Sequence, residues 1–151
     1  MENQFSLLIA DRNRNVRDFL RREFVAEGYS VQLVKDDREL LNMINGGASP
    51  DLLILDLEMP YAAGPEVLEQ LRSRNPLMPV VIYTLLTDNA AHEAIQTAEA
   101  FLEKRGNNIE DLKTLVEEVL KKRYPQGPGI ATQVRETTEE QSEELGAIGS
   151  E

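Results

Sequence analysis

The sequence predicts an α/β protein built on a doubly wound parallel sheet, with helices on both faces. Three observations predict it. Short apolar runs of strand length alternate strictly with segments whose apolar residues fall at helical spacing. The run Leu52-Leu53-Ile54-Leu55 is apolar at four successive positions, as a strand buried on both faces requires. That run ends abruptly in Asp56 and is then broken by Met59-Pro60, while an earlier run, Leu7-Leu8-Ile9-Ala10, ends in Asp11. A carboxylate is costly to bury unless paired or solvated. Both acids are therefore expected at the carboxyl ends of their strands, where open parallel sheets bind ligands.

The elements follow in order. Phe5 to Ala10 reads as the first strand. From Asn13 to Glu27, Val16, Phe19, Leu20 and Phe24 form one helical face, and Gly28 is placed to end it. Ser30 to Val34 is a short strand. Asp37 caps a helix burying Leu40, Leu41 and Ile44, which stops at Gly46-Gly47. Leu52 to Asp56 is the third strand. Pro65 suits the first turn of a helix carrying Val67, Leu68 and Leu71, which ends before Pro76. Val80 to Thr84 is the fourth strand. Asp88 opens an Ala-rich helix through Ala98 that buries little, so it is expected to be the most mobile helix. Ala100 to Leu102 is the fifth strand, and Asn108 caps a last helix with Leu112, Leu115, Val116, Val119 and Leu120 inward. That is five βα units, a (βα)5 pattern.

Composition bounds the organisation. A chain of 151 residues, 41% hydrophobic, fits one domain with a real core, here residues 1–124. Beyond Tyr124 the character changes. Residues 125–151 hold six Glu against one Arg, so they carry −5 of the net −11 and leave −6 on residues 1–124. Few large apolar groups and excess charge predict an acidic disordered tail, with no second folded output domain. The absence of Cys excludes disulfides and thiolate metal sites, and the lone His92, read as a surface residue, excludes a multi-histidine centre. No apolar stretch approaches membrane-spanning length and no signal peptide opens the chain, so a cytoplasmic location without membrane attachment is expected. The negative charge argues against a nucleic-acid binder working through its overall field.

Four residues stand at strand ends: Asp11, Asp56, Thr84 and Lys104. In a parallel sheet all four lie along one rim. Acids can hold a hard divalent cation through oxygen. An Asp carboxylate can act as nucleophile toward phosphorus, and a hydroxyl and an ammonium can bind the phosphate oxygens. The plainer readings are a cap or turn role for Asp56, a helix cap for Asp11, an ordinary strand-end Thr84, a solvated Lys104 and a core Phe101.

With these residues in place, the chain resembles the receiver domains of two-component response regulators over about residues 4–123. The marks are Asp11 after the first strand, Asp56 with Met59-Pro60 and Gly64, Thr84 after Val80-Val81-Ile82-Tyr83, and Phe101-Leu102-Glu103-Lys104. The resemblance implies a flavodoxin-like strand order, 2-1-3-4-5. It also implies that Asp56 accepts a phosphoryl group from a histidine kinase or phosphotransfer protein. Lys104 would bind the phosphate. Mg2+ would sit on Asp11, Asp56 and the backbone carbonyl of Glu58. Thr84 and Phe101 would form a switch pair, Thr moving toward the phosphate and the ring turning inward, which remodels the surface of the fourth helix, fifth strand and fifth helix for a downstream protein target.

Three departures qualify this. Receivers usually carry two acids after the first strand, and here the second is Arg12, which weakens the Mg2+ site; its guanidinium either partly substitutes for Mg2+ by pairing with Asp56 or a phosphate, or points into solvent. The usual Lys-Pro step is Lys104-Arg105, where a cis bond costs about 3 kcal/mol, so a trans bond and a reshaped loop over 105–108 are expected. The segment between Thr84 and Lys104 is slightly short. Leu86, two residues past Thr84, is expected to shield an acyl phosphate and slow its hydrolysis. The leading expectation is thus a single-domain, chemotaxis-type response regulator. It is not an enzyme beyond phosphorylating and dephosphorylating itself. A pseudo-receiver acting as a phosphorylation-independent interaction module is the second reading, motivated by Arg12. An aspartyl phosphatase is a remote third, since Asp56-Leu57-Glu58 only superficially resembles an Asp-x-Asp pair.

Overall fold

A computed structural model describes residues 5–59, 69–73, 78–85, 98–104 and 108–128. Five strands, β1 (Ser6–Ala10), β2 (Ser30–Val34), β3 (Leu52–Leu55), β4 (Val80–Thr84) and β5 (Ala100–Glu103), form one sheet. All neighbours pair in parallel, in the order β2-β1-β3-β4-β5. The flavodoxin-like order is therefore present. The described helices are α1 (Arg14–Ala26), α2 (Asp37–Asn45) and α3 (Ile109–Arg123), and residues 69–73 are also helical.

Strand burial follows position in the sheet. β3 and β4 are central and buried at every residue, which their uninterrupted apolar sequences allow. β2 lies at one margin and keeps the polar Ser30 and Gln32 exposed. Alternate side chains feed two cores. Leu8, Ala10, Leu53, Leu55, Val80 and Ile82 pack with Leu40, Ile44 and Leu71 on one face. Leu7, Ile9, Leu52, Ile54 and Val81 pack with Leu20 and Phe24 of α1 and Leu112, Val116 and Leu120 of α3 on the other. Helices on both faces make the sheet doubly wound.

Several expected boundaries shift for local reasons. The cap of α2 is Asp36, not Asp37. Its carboxylate accepts from the Glu39 N–H at 2.8 Å, and Glu39 reaches back to the Lys35 N–H at 2.9 Å. Asp37 is the first helical residue. Asn13 caps α1 through its side chain, accepting from the Asn15 and Val16 N–H groups. Gly28 follows with φ of 97°, a conformation that favours glycine. β5 runs one residue further than expected, to Glu103. Asn108 stands at the cap position of α3, but its side chain makes no cap hydrogen bond. Gly64, the helix expected from Asp88, Leu86, the Lys104–Arg105 bond, Arg105 and the tail from residue 129 lie outside the described residues.

Candidate functional site

The sheet ladder itself delivers the polar residues to one rim. Asp11 follows β1, and its N–H donates to the Val34 carbonyl at 3.2 Å. Asp56 follows β3 and donates to the Ala10 carbonyl at 2.9 Å, and Lys104 follows β5 and donates to the Thr84 carbonyl at 2.9 Å. Each of these residues is thus fixed by the last bond of a strand pair, while its side chain clears the core. Asp11, Asp56 and Thr84 are nonetheless buried, at 1%, 2% and 0% exposure. At such depth a carboxylate needs partners.

The structure supplies them. Thr84 Oγ1 donates to Asp56 Oδ1 at 2.8 Å and accepts from the Leu57 N–H at 3.2 Å. The Glu58 N–H also donates to Asp56 Oδ1, at 3.1 Å. The other oxygen, Asp56 Oδ2, accepts from the Arg12 N–H at 3.3 Å and lies 3.8 Å from Lys104 Nζ and 4.0 Å from Arg12 Nε. Lys104 is bonded more closely to Asp11 Oδ2, at 2.6 Å. Asp11 Oδ1 accepts from the Asn13 N–H at 2.8 Å. Burial pushes the Asp11 carboxyl above its ordinary range, opposed by Lys104 and the Asn13 N–H and reinforced by the charge of Asp56. Arg12 turns its terminal nitrogen to Glu58 Oε1 at 2.6 Å.

Asp11, Asp56, Thr84 and Lys104 therefore converge as the sequence implied, and Arg12 lies over the same carboxylate instead of pointing away. Phe101 pairs with Ile82, shares the Thr84 face of the sheet, and packs half-buried against that core. Three further residues support the site. Arg17 donates to the Asp11 carbonyl at 2.8 Å. Asn108 accepts from the Tyr83 hydroxyl at 3.0 Å and donates to the Glu103 carbonyl at 2.9 Å, bracing the residue before Lys104. Lys104 Nζ stands 5.8 Å from the centre of the Tyr83 ring. A polar-tipped Tyr ending an otherwise apolar strand, next to Thr84, was the available signal for this brace.

The donor set fits a divalent cation poorly. Asp11 and Asp56 offer buried carboxylates, yet Lys104 and Arg12 already flank them and Glu58 is drawn to Arg12. Among the described residues, no three His, Cys, Asp or Glu side chains are grouped to hold a metal.

Several known proteins resemble this chain. Response regulator MprA of Mycolicibacterium vanbaalenii is 42% identical over 78 residues, 52% of this chain and 33% of that protein. MprA of Mycobacterium avium is 44% identical over 78 residues, covering 52% and 34%. The chain thus spans about a third of the length of these curated relatives. Among solved structures, response regulator TrrA of Thermotoga maritima, in complex with Mg2+–BeF, is 27% identical with a TM-score of 0.68, covering 78% of this chain and 98% of that one. The complex of histidine kinase ThkA with TrrA matches at 27% identity and a TM-score of 0.68, covering 80% and 99%. The family model described as "Response regulator receiver domain" matches residues 7–117. With that match, the strand order and the convergent rim, the chain belongs to the response regulator receiver domain family of two-component signalling.

Proposed function

We propose that Asp56 is the phosphoacceptor of this receiver, taking its phosphoryl group from a histidine kinase or a phosphotransfer protein. The observation that carries the reading is the division of labour between the two Asp56 oxygens. Oδ1 is occupied by the Thr84 hydroxyl and the Glu58 N–H, while Oδ2 faces Arg12 and Lys104. Oδ2 forms the new O–P bond as the P–N bond of a phosphohistidine breaks. The electron pair stays with the imidazole, which takes up a proton. Charge developing on the phosphoryl oxygens then lies beside two cations.

Asp11 holds Lys104 in place, and Thr84 with Phe101 reads out the phosphate through the β4–β5 side of the sheet. The output is a phosphorylation-dependent contact with a protein target. The chain acts as a signalling component rather than an enzyme, with at most its own phosphorylation and dephosphorylation. The ThkA–TrrA complex among its structural relatives supports a kinase as partner. Mg2+ is present in the TrrA complex with BeF, but in this chain Lys104 and Arg12 flank Asp11 and Asp56, and no step of the proposed transfer uses it.

The test is intact mass after incubation with phosphoramidate and Mg2+. Wild type is expected to gain one phosphoryl group and Asp56→Ala none; equal behaviour of the two rejects the reading. The pairing of Arg12 with Asp56 favours a second reading, a phosphorylation-independent interaction module. Partner binding unchanged in Asp56→Ala selects it.

A further inference from the structure

Arg12 is anchored at both ends across the mouth of Asp56. Its backbone N–H donates to Asp56 Oδ2 at 3.3 Å, its Nε lies 4.0 Å from the same oxygen, and its terminal nitrogen bonds Glu58 Oε1 at 2.6 Å. Glu58 is itself tied to the acceptor, because its N–H donates to Asp56 Oδ1. The guanidinium is therefore held by the turn that carries the carboxylate. The Arg12 side chain is 48% exposed and that of Asp56 is 1% exposed. One cation thus stands between a buried nucleophile and solvent. On the other side, Lys104 Nζ is 3.8 Å from Oδ2.

A guanidinium remains charged at any physiological pH, and its fork matches phosphate oxygens. A divalent ion at the same place would meet two fixed positive charges and find Glu58 already paired. We propose that Arg12 takes the place of a divalent cation, so that Asp56 accepts a phosphoryl group without bound Mg2+. The proposal rests on the reading of Asp56 as phosphoacceptor. Glu58 is the positioning residue that keeps the guanidinium over Oδ2. With phosphoramidate as donor, Oδ2 bonds phosphorus, the P–N bond breaks, and ammonia leaves with the electron pair.

The experiment measures phosphorylation rates by intact mass, with phosphoramidate in EDTA and in Mg2+, for wild type and Arg12→Asp. Wild-type rates are expected to agree within about threefold in the two buffers. Arg12→Asp, which restores a second acid, is expected to slow on the order of a hundredfold in EDTA, the loss that follows when an ion stabilising transferred charge is withdrawn. A wild-type rate that collapses by that factor in EDTA overturns the proposal and leaves Asp56 as acceptor. No phosphoryl gain by wild type in either buffer overturns both. The wild-type comparison decides the matter even if Arg12→Asp fails to fold. Tyrosine fluorescence during an Mg2+ titration gives a readout independent of turnover: wild type is expected to show no saturable change, and saturable binding at low millimolar Mg2+ counts against the proposal.

Discussion

The Thr84 hydroxyl serves two neighbours at once, donating to Asp56 Oδ1 and accepting from the Leu57 N–H in a fully buried position. Thr84→Val keeps the shape and removes both bonds, leaving a buried N–H without its acceptor. The expected loss is about 1–3 kcal/mol, read as a lower midpoint in urea, and Thr84→Ser is expected to recover most of it. At this scale the sequence was legible where a polar residue interrupts or follows an apolar run, as Asp11, Asp56, Thr84 and Lys104 do. The direction taken by Arg12 was not legible. It depends on Glu58, 46 positions away, which only the pairing of β1 with β3 brings near.

Helix caps show what local pattern does and does not determine. Two adjacent acids, Asp36 and Asp37, compete for the start of α2, and spacing alone does not separate them. Glu39 decides, since it stands three residues after Asp36 and completes the reciprocal bonds. Asp36→Ala is expected to cost about 1 kcal/mol in thermal or urea unfolding, and Asp37→Ala is not expected to reproduce it through capping. At α3 the sequence pointed correctly to Asn108, but tertiary demand redirected its side chain to Tyr83 and the Glu103 carbonyl. The helix start retains Glu110 and Asp111, whose charges suit its dipole. Asn108→Ala releases the brace before Lys104. A fall of about fivefold in phosphorylation rate is expected, equivalent to about 1 kcal/mol, with unchanged far-UV circular dichroism. Tyr83→Phe is expected to give part of the same loss.

Across the whole molecule, the rim opposite Asp56 is tied down. Asp51 accepts from the Ser6 N–H at 2.7 Å, and its carbonyl accepts from the Tyr124 hydroxyl at 2.8 Å. Glu99 accepts from the Val80 N–H and Arg72 at 2.9 Å each and from Arg123 at 2.6 Å. Burial alone raises the Glu99 carboxyl, but these donors outweigh it and hold the group below its ordinary 4.5. A lowered acid contributes stability above pH 4.5 that is lost as pH falls further. Glu99→Gln is therefore expected to lower the neutral-pH stability by about 1–2 kcal/mol and to flatten the acid limb of a stability–pH curve. Tyr124 behaves oppositely. Burial first, then the negative charge of Asp51, pushes its phenol up from 10.0 to about 12. Its contribution is complete below pH 10 and declines as pH rises toward 12, so Tyr124→Phe is expected to flatten the alkaline limb. None of these ties was legible in the sequence, because each joins segments far apart in the chain. The five-stranded order was legible through the family marks. The path of α3 has a practical consequence. Its 15 residues begin beside Lys104 and end at Glu99 and Asp51, about 22 Å along the sheet. The chain thus leaves α3 at Tyr124 on the side of the sheet away from Asp56, so an affinity handle fused directly after residue 128 starts far from the acceptor rim in immobilised binding assays with a kinase.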